Sequence, residues 1–388
     1  MDASQFAAGF PGRLLNSDGG LLAFEPNPLP ADWTMPQEFW PLVRDAWGTI
    51  RELNGIGRVL PDPTILLKPL EDREAIQSSR MEGTFATARE LLLFEKSPSA
   101  PGAESERANN WREVWNYKRA LRCGATSELP IGKRLLRELH RYLMNGVRGT
   151  DKDPGEFRRV QVGIRGTRDN PHFVPPPPNL VMPCLDSLEA YIHATPPGMD
   201  KLVDSFLVHY QFETIHPFRD GNGRVGRLLL ALMIQQRCDL NHPWLFVSQY
   251  FEKHQAQYFD LLFSVSTTGN WSAWIEFCLR ATIDQAQDAL NRCQRLLDAR
   301  AEIADRISQV RQSNKLLPIV DLVLEKMFIS VNDVVNRFRV TYPTADKYLN
   351  DLVTEGILRQ LADYSPKNFF SPALFAITYG DLEHVPQP

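Results

Sequence analysis

From Pro36 to about Leu93 apolar residues recur with helical spacing, as in QEFWPLVRDAWGTIRELNGIG and REAIQSSRMEGTFATARELLLFE, which predicts two or three helices. ANNWREVWNYKRALRCG and GKRLLRELHRYLMNGV continue that period, and His140 in the second reads as an ordinary packed helix residue. The pattern changes at Phe157. Polar and apolar residues alternate to Ile164, meet the turn formers Gly166, Asp169 and Asn170, and resume at His172 to Val174, which predicts a β-hairpin. Four prolines, 175 to 178, end its second strand ahead of a further helix. Helical spacing returns in MDKLVDSFLVHYQFETIHPF and GRVGRLLLALMIQQRC, leaving a short loop between two apolar helices. It persists through HQAQYFDLLFSVS and a long run from Trp271 that is charged on one face, which suits a connector between domains. After Lys315 the order is short helix, helix, turn, helix and, over RQLADYSPKNFFSPALF, a strand pair, the pattern of a winged helix-turn-helix. Residues 1–35 are rich in Gly, Pro, Asn and Asp and predict an irregular surface arm with little secondary structure.

The fold class is therefore mainly α, with a β-hairpin on a helical core and a winged tail. The expected divisions are 1–100 for the arm and first helices, 101–285 for the core, 286–315 for a helical linker and 316–388 for the tail. A chain of 388 residues has room for more than one core. A net charge of −4 with 23% charged residues removes the bulk basic bias of a nucleic-acid binder. Cys123, Cys184, Cys238, Cys278 and Cys293 form no CxxC pair, which argues against a zinc site or a disulfide framework and for a reducing cytoplasm. The start MDASQFAAGF has no basic n-region, and the run Leu228 to Ile234 is too short for a bilayer span, so neither export nor membrane insertion is expected.

The loop within IHPFRDGNGRVGRLLL carries the chemistry. A helix beginning near Gly221 leaves its first N–H groups unpaired and turns the positive end of its dipole into the loop, which makes an anion site. Gly221 and Gly223 let a phosphate approach the backbone, and the side-chain amide of Asn222 can orient the turn. Arg224 and Arg227, three apart, emerge on one face of the first turn and suit a polyphosphate. Asp220 fits poorly beside a bare phosphate but well as a carboxylate ligand of Mg²⁺. His216 is the side chain best matched to taking a proton from a hydroxyl near neutral pH. Pro217 and Phe218 fix the loop, Phe218 as an anchor turned into the core. The set points to nucleotidyl or phosphoryl transfer.

H-x-F-x-D-G-N-G-R-x-x-R, as it stands from His216 to Arg227, resembles the signature of Fic (Fic/Doc) proteins without a departure. The resemblance implies that His216 activates a target hydroxyl that attacks the α-phosphate of ATP, leaving AMP on a protein target. It assigns Asp220 to Mg²⁺, and Asn222, Gly223, Arg224 and Arg227 to the phosphates. SSRMEGT matches the family's (S/T)-x-x-x-E-(G/N) inhibitory motif at Ser78, Glu82 and Gly83. The implied role of Glu82 is to occupy Arg227 and block the γ-phosphate. The hairpin from Phe157 to Val174 resembles the family's flap, which pairs with an extended target segment; Ile164, Arg165 and Gly166 are the expected contact edge. Tyr258 and Phe259 match a position where relatives often carry Tyr-Tyr against the adenine.

The expected function is an auto-inhibited protein adenylyltransferase using ATP and Mg²⁺, with an unidentified target, the chain itself included, and with dimerisation as in many relatives. Two rivals remain. One is a nucleotide-sensing winged-helix transcription regulator, and the other is removal of AMP at the same site, with Glu82 positioning water. Tyr342, Thr344, Lys347 and Tyr348 would lie on a recognition helix, yet acids outnumber bases from Leu316 onward, so docking or dimerisation suits the tail better than DNA.

Overall fold

The computed structural model describes residues 1–17, 20–31, 33–59, 63–96, 106–147, 153–167, 171–194, 198–308, 313–361 and 366–383. The chain is mainly helical. It opens on a hairpin of β1 (Gly12–Asn16) and β2 (Leu22–Pro26), paired from Gly12↔Pro26 to Asn16↔Leu22. Then follow α1 (Trp40–Val59), α2 (Thr64–Arg80), α3 (Ala88–Lys96), α4 (Glu106–Thr126) and α5 (Lys133–Leu143). A second hairpin, β3 (Ile164–Gly166) with β4 (Pro171–Phe173), leads into α6 (Pro178–Ala194), α7 (Lys201–Ile215) and α8 (Asn222–Arg237). Next come α9 (Ser248–Lys253), α10 (Gln255–Thr268) and α11 (Trp271–Ser308). The C-terminal unit contains α12 (Ser313–Lys326), β5 (Ile329–Ser330), α13 (Val331–Phe338), α14 (Tyr342–Thr354), β6 (Arg359–Gln360), β7 (Asn368–Phe370) and α15 (Pro372–Tyr379). Its strands form an antiparallel sheet in the order β5-β7-β6.

At the centre lie α7 and α8. Every residue of α7 from Leu202 to Ile215 is buried, as a helix surrounded by others must be. Asp200 caps it by accepting from the backbone N–H groups of Leu202 and Val203. Packed on this pair are α4, α5 and α6, while α11 runs along α1. The polar helix α2 is wedged between α4, α9 and α12, with Asp72, Arg73, Glu74, Ser78 and Ser79 all buried. Buried charge must be paired: Lys118 pairs with Asp72, Tyr117 and Ser248 donate to Glu74, and further partners come from residues 378–382. Arg73 binds Asp381 at 2.7 Å and the Thr378 carbonyl, Arg80 donates to the Leu382 carbonyl, and the Tyr379 hydroxyl donates to Asp72.

Three expectations are corrected. The N-terminal arm is a paired hairpin: its Phe24 packs with Phe6, Phe10 and Phe173, and the Phe24 N–H bonds the Val174 carbonyl. Aromatic burial and a ladder outweigh the turn-rich composition. Among the described residues the flap pairs as Ile164↔Phe173 and Gly166↔Pro171, so the alternating residues from Phe157 form no strand, and its Asp169 and Asn170 lie outside the described residues. That segment spends its polar groups elsewhere, because the Arg158 N–H donates to the Pro217 carbonyl and the Arg158 guanidinium to the carbonyls of His216 and Pro176. In the tail, SPALF starts α15, with Pro372 in its first turn, and does not extend the strand pair.

Candidate active site

His216 ends α7. It sits in the left-handed region, at φ 49°, so the chain turns out of the helix at the candidate base itself. Its Nδ1–H donates to the Glu213 carbonyl at 3.2 Å. That bond fixes the tautomer and leaves Nε2 with its lone pair, in a ring that lines a cavity of about 450 Å³. Burial pushes its pKa down to about 4, with the Glu213 carbonyl working against that shift. The imidazole is therefore a neutral acceptor at physiological pH.

The turn that follows is stapled from within. Asn222 Oδ1 accepts from the Phe218 N–H at 2.8 Å, and its amide donates to the Phe218 carbonyl at 2.9 Å. Gly221 takes φ 73° as the N-cap of α8. Phe218 is fully buried and stacks on the His140 ring at 3.9 Å with an interplanar angle of 9°. His140 Nε2–H donates to the Asp220 carbonyl at 3.0 Å, while its Nδ1 accepts from the Gly155 N–H at 2.8 Å. His140 is a packed residue of α5, and what it packs against is the candidate loop, which it holds through Phe218 and the Asp220 carbonyl. The sequence offered a signal in the one-turn spacing of Arg137, His140 and Arg141, but nothing in it showed that the face meets the loop.

Arg227 is buried on α8 and takes three contacts. Its Nε donates to Ser78 Oγ at 2.7 Å, and one terminal nitrogen donates to the Ser78 carbonyl and to Glu82 Oε1, each at 2.8 Å. Glu82 lies just past α2, in a turn that closes with Gly83 at φ 78° and the Thr84 N–H on the Ser79 carbonyl. The inhibitory motif is thus a helix end, not a helix interior. Helix carbonyls make this a poor place for an anion, and burial also opposes its charge. Even so, Arg227 and Arg224 hold the Glu82 carboxyl below its usual range. A Cβ at Gly223 would lie 2.2 Å from Glu82 Oε1, so the glutamate rests on the backbone of the anion cradle.

Arg224 is also buried, but it pairs with Glu113 at 3.0 Å and does not line the cavity. The two signature arginines therefore have separate carboxylate partners, although both belong to the first turns of α8. Glu213, which sequence reasoning passed over, lines the cavity behind Arg227, where burial drives its carboxyl up to about 8. Held neutral below that, it leaves Glu82 as the ionised partner of Arg227. An acid inside the apolar run LVHYQFETI was its only signal.

Asp220 spends one oxygen on the Gly221 N–H at 2.7 Å and is otherwise exposed at the cavity mouth. The flap covers the opposite side, where Ile164 and Arg165 line the cavity and Gly166 continues the strand beyond it. Arg165 places its guanidinium 4.4 Å from the centre of the Phe259 ring. Tyr258 also lines the cavity, but its hydroxyl donates to His209 Nε2 and it is almost fully buried among Phe251, Phe259 and Trp274. Of the two aromatics expected at an adenine, then, Phe259 is the more accessible.

Residues 130–234 match the Fic/DOC family and residues 40–126 the Fic/DOC family N-terminal region. Protein adenylyltransferase Fic of Drosophila melanogaster is 24% identical over 283 residues, covering 70% of this chain and 53% of the fly protein. The protein of that name from Culex quinquefasciatus is 30% identical over 156 residues, 38% of this chain and 28% of its own. The chain thus spans about half the length, or less, of these curated relatives. Among solved structures, a Fic family protein from Desulfovibrio desulfuricans G20 superposes with a TM-score of 0.57 at 21% identity, covering 88% of this chain and 98% of that one. No helix among the described residues is long and apolar enough to cross a membrane. With the complete signature running through the loop after α7 into the first turns of α8, the chain belongs to the Fic/DOC family.

Proposed function

We propose that the protein is an auto-inhibited protein adenylyltransferase, transferring AMP from ATP to a Ser, Thr or Tyr hydroxyl of a protein target. The observation that carries this reading is the Glu82 carboxylate on Arg227, seated over Gly223 where a triphosphate would lie. In the reaction, Nε2 of His216 accepts the hydroxyl proton as that oxygen attacks the α-phosphorus, and pyrophosphate leaves. The N–H groups at the start of α8 and Arg227 hold the phosphates, and Arg224 joins them once Glu113 releases it. Asp220 offers one hard oxygen beside this cradle, the donor set of a Mg²⁺ that arrives with a triphosphate. Bound there, Mg²⁺ would neutralise phosphate charge. Phe259 and Tyr258 form the adenine wall, and the edge of Ile164, Arg165 and Gly166 receives the target.

The C-terminal unit has the element order of a winged helix. Its contacts with α2 support a docking role over DNA reading, and the free cysteines fit a cytoplasmic protein. Transfer of label from α-labelled ATP with Mg²⁺ tests the function, in wild type, Glu82→Gly, His216→Ala and the double variant, alone and with cell lysate. Label in Glu82→Gly that the double variant lacks is the expected result, and no transfer by any variant refutes it.

A further inference from the structure

Sharing no lining residue with the nucleotide cavity, α5, α6 and the segment 156–159 enclose an open cleft of about 1100 Å³. Its wall on α5 carries Arg134, Arg137, Glu138 and Arg141, which the i, i+3, i+4, i+7 spacing puts on one face. Arg159 lines the opposite wall. Of the lining acids, Glu156 is taken by Arg137, and Glu189 by Lys133. Arg158 is buried and committed to the carbonyls around His216. That leaves Glu138 against Arg134, Arg141 and Arg159, which are exposed and make no ion pair among the described residues. In a chain of net charge −4 this local excess of guanidinium is a specific feature. Beside it, Met182 in the lining and Val160 next to Arg159 are 45% and 49% exposed, two of the few large apolar side chains on the surface. Arginine with exposed Met and Val is the composition of a protein-docking surface, not of a phosphate-backbone track.

The cleft is joined to the flap by the chain itself. From Arg159 to Ile164 is five residues, at most about 17 Å of extended chain. We propose that this cleft receives an acidic stretch of the protein target whose neighbouring segment pairs with the flap edge. This rests on the adenylyltransferase reading and adds the chemistry of the substrate: an acceptor hydroxyl with carboxylates about five residues away. Long-range attraction by the arginines would speed encounter, and the flap would then set the register.

The test uses the full chain and fluorescent peptides with one central Tyr, flanked on either side by a run of Glu, Gln or Lys, with single-stranded oligo-dT as a further probe. Binding is followed by anisotropy. The expected result is that a Glu-flanked peptide binds about tenfold tighter than its Gln counterpart. That preference should vanish when Arg134→Ala, Arg141→Ala and Arg159→Ala are combined, and turn toward the Lys peptide when all three become Glu. Unchanged thermal unfolding of both triple variants shows that the fold is kept. Equal binding of Glu and Gln peptides, survival of the preference in the Ala variant, or tighter binding of oligo-dT than of the acidic peptide overturns the proposal. The same peptides are then offered to Glu82→Gly with labelled ATP. Acidic-peptide binding without label transfer by any variant keeps the docking surface and discards the enzymatic reading, so the two failures are distinct.

Discussion

Replacing Glu82 by Gly should raise AMP transfer about 10- to 100-fold. The figure follows from what a triphosphate must displace. Of the three contacts on the Arg227 guanidinium, the two from Ser78 can remain, while the Glu82 carboxylate at 2.8 Å occupies the cradle. A charge-assisted hydrogen bond contributes roughly 1.5–3 kcal/mol, and about 1.4 kcal/mol is a factor of ten. The Glu82 side chain is 35% exposed, so solvent screening favours the lower half of that range. Initial rates of label incorporation across ATP concentrations give the measurement. Glu82→Gln, which keeps the bulk but loses the charge, should fall between wild type and Gly. The gain carries a cost in stability, since Arg227 loses its ionised partner in a buried site, and the unfolding midpoint should drop measurably. Rates for Glu82→Gly within about twofold of wild type at every ATP concentration would refute the reasoning, because the contact would then hold back nothing.

Ser78→Ala should release Arg227 more weakly, by a few-fold in the same assay, since one neutral hydrogen bond is worth only about 1 kcal/mol. His216→Ala in the Glu82→Gly background should lower transfer by at least about 100-fold while nucleotide binding, followed by calorimetry, persists. With its pKa lowered by burial to about 4, the His216 base should stay neutral down to mildly acid pH. The pH profile of Glu82→Gly should therefore show no His216 limb near 6.5 and should fall only towards 4; a limb centred near 6.5 contradicts the buried geometry. His140 is pushed down to about 4 and His209 to about 3, both by burial. Their unfolded forms bind protons first, so stability should be full above about 6.5 and decline as pH falls towards 4, as denaturant titrations across pH can show. His140→Ala should destabilise the fold by roughly 2–4 kcal/mol and lower kcat more than it raises KM for ATP, because the stack on Phe218 and the bond to Asp220 are lost together.

The reactive loop was legible because its elements are local. A histidine, three glycines and three arginines within twelve positions state their own geometry, and α7 and α8 around them follow from unbroken apolar spacing. Ser78 and Glu82 could be paired with Arg227 only through the family resemblance, since nearly 150 residues separate them. The contacts that sequence could not show are those between polar groups of distant elements. Arg224 turns to Glu113, Arg158 grips the His216 carbonyl, and His140 supports Phe218. Composition misled at the N-terminus for a related reason. Turn formers mark where a chain bends, and whether its arms then pair depends on an aromatic cluster completed by Phe173.

The grip of residues 378–382 on α2 has a bearing on the order in which the molecule is made. Arg73 and Asp381 are 308 positions apart, and Arg80 and Leu382 are 302 apart. During synthesis the loop between α7 and α8 is complete long before those partners leave the ribosome. Closure of so long a loop is slow to be rewarded. The helix that leads into Glu82 therefore gains these supports only once residues 378–382 have been made. A product cut short after Ser308 would hold every residue of the signature and keep Lys118 on Asp72, while leaving Arg73 without its carboxylate partner.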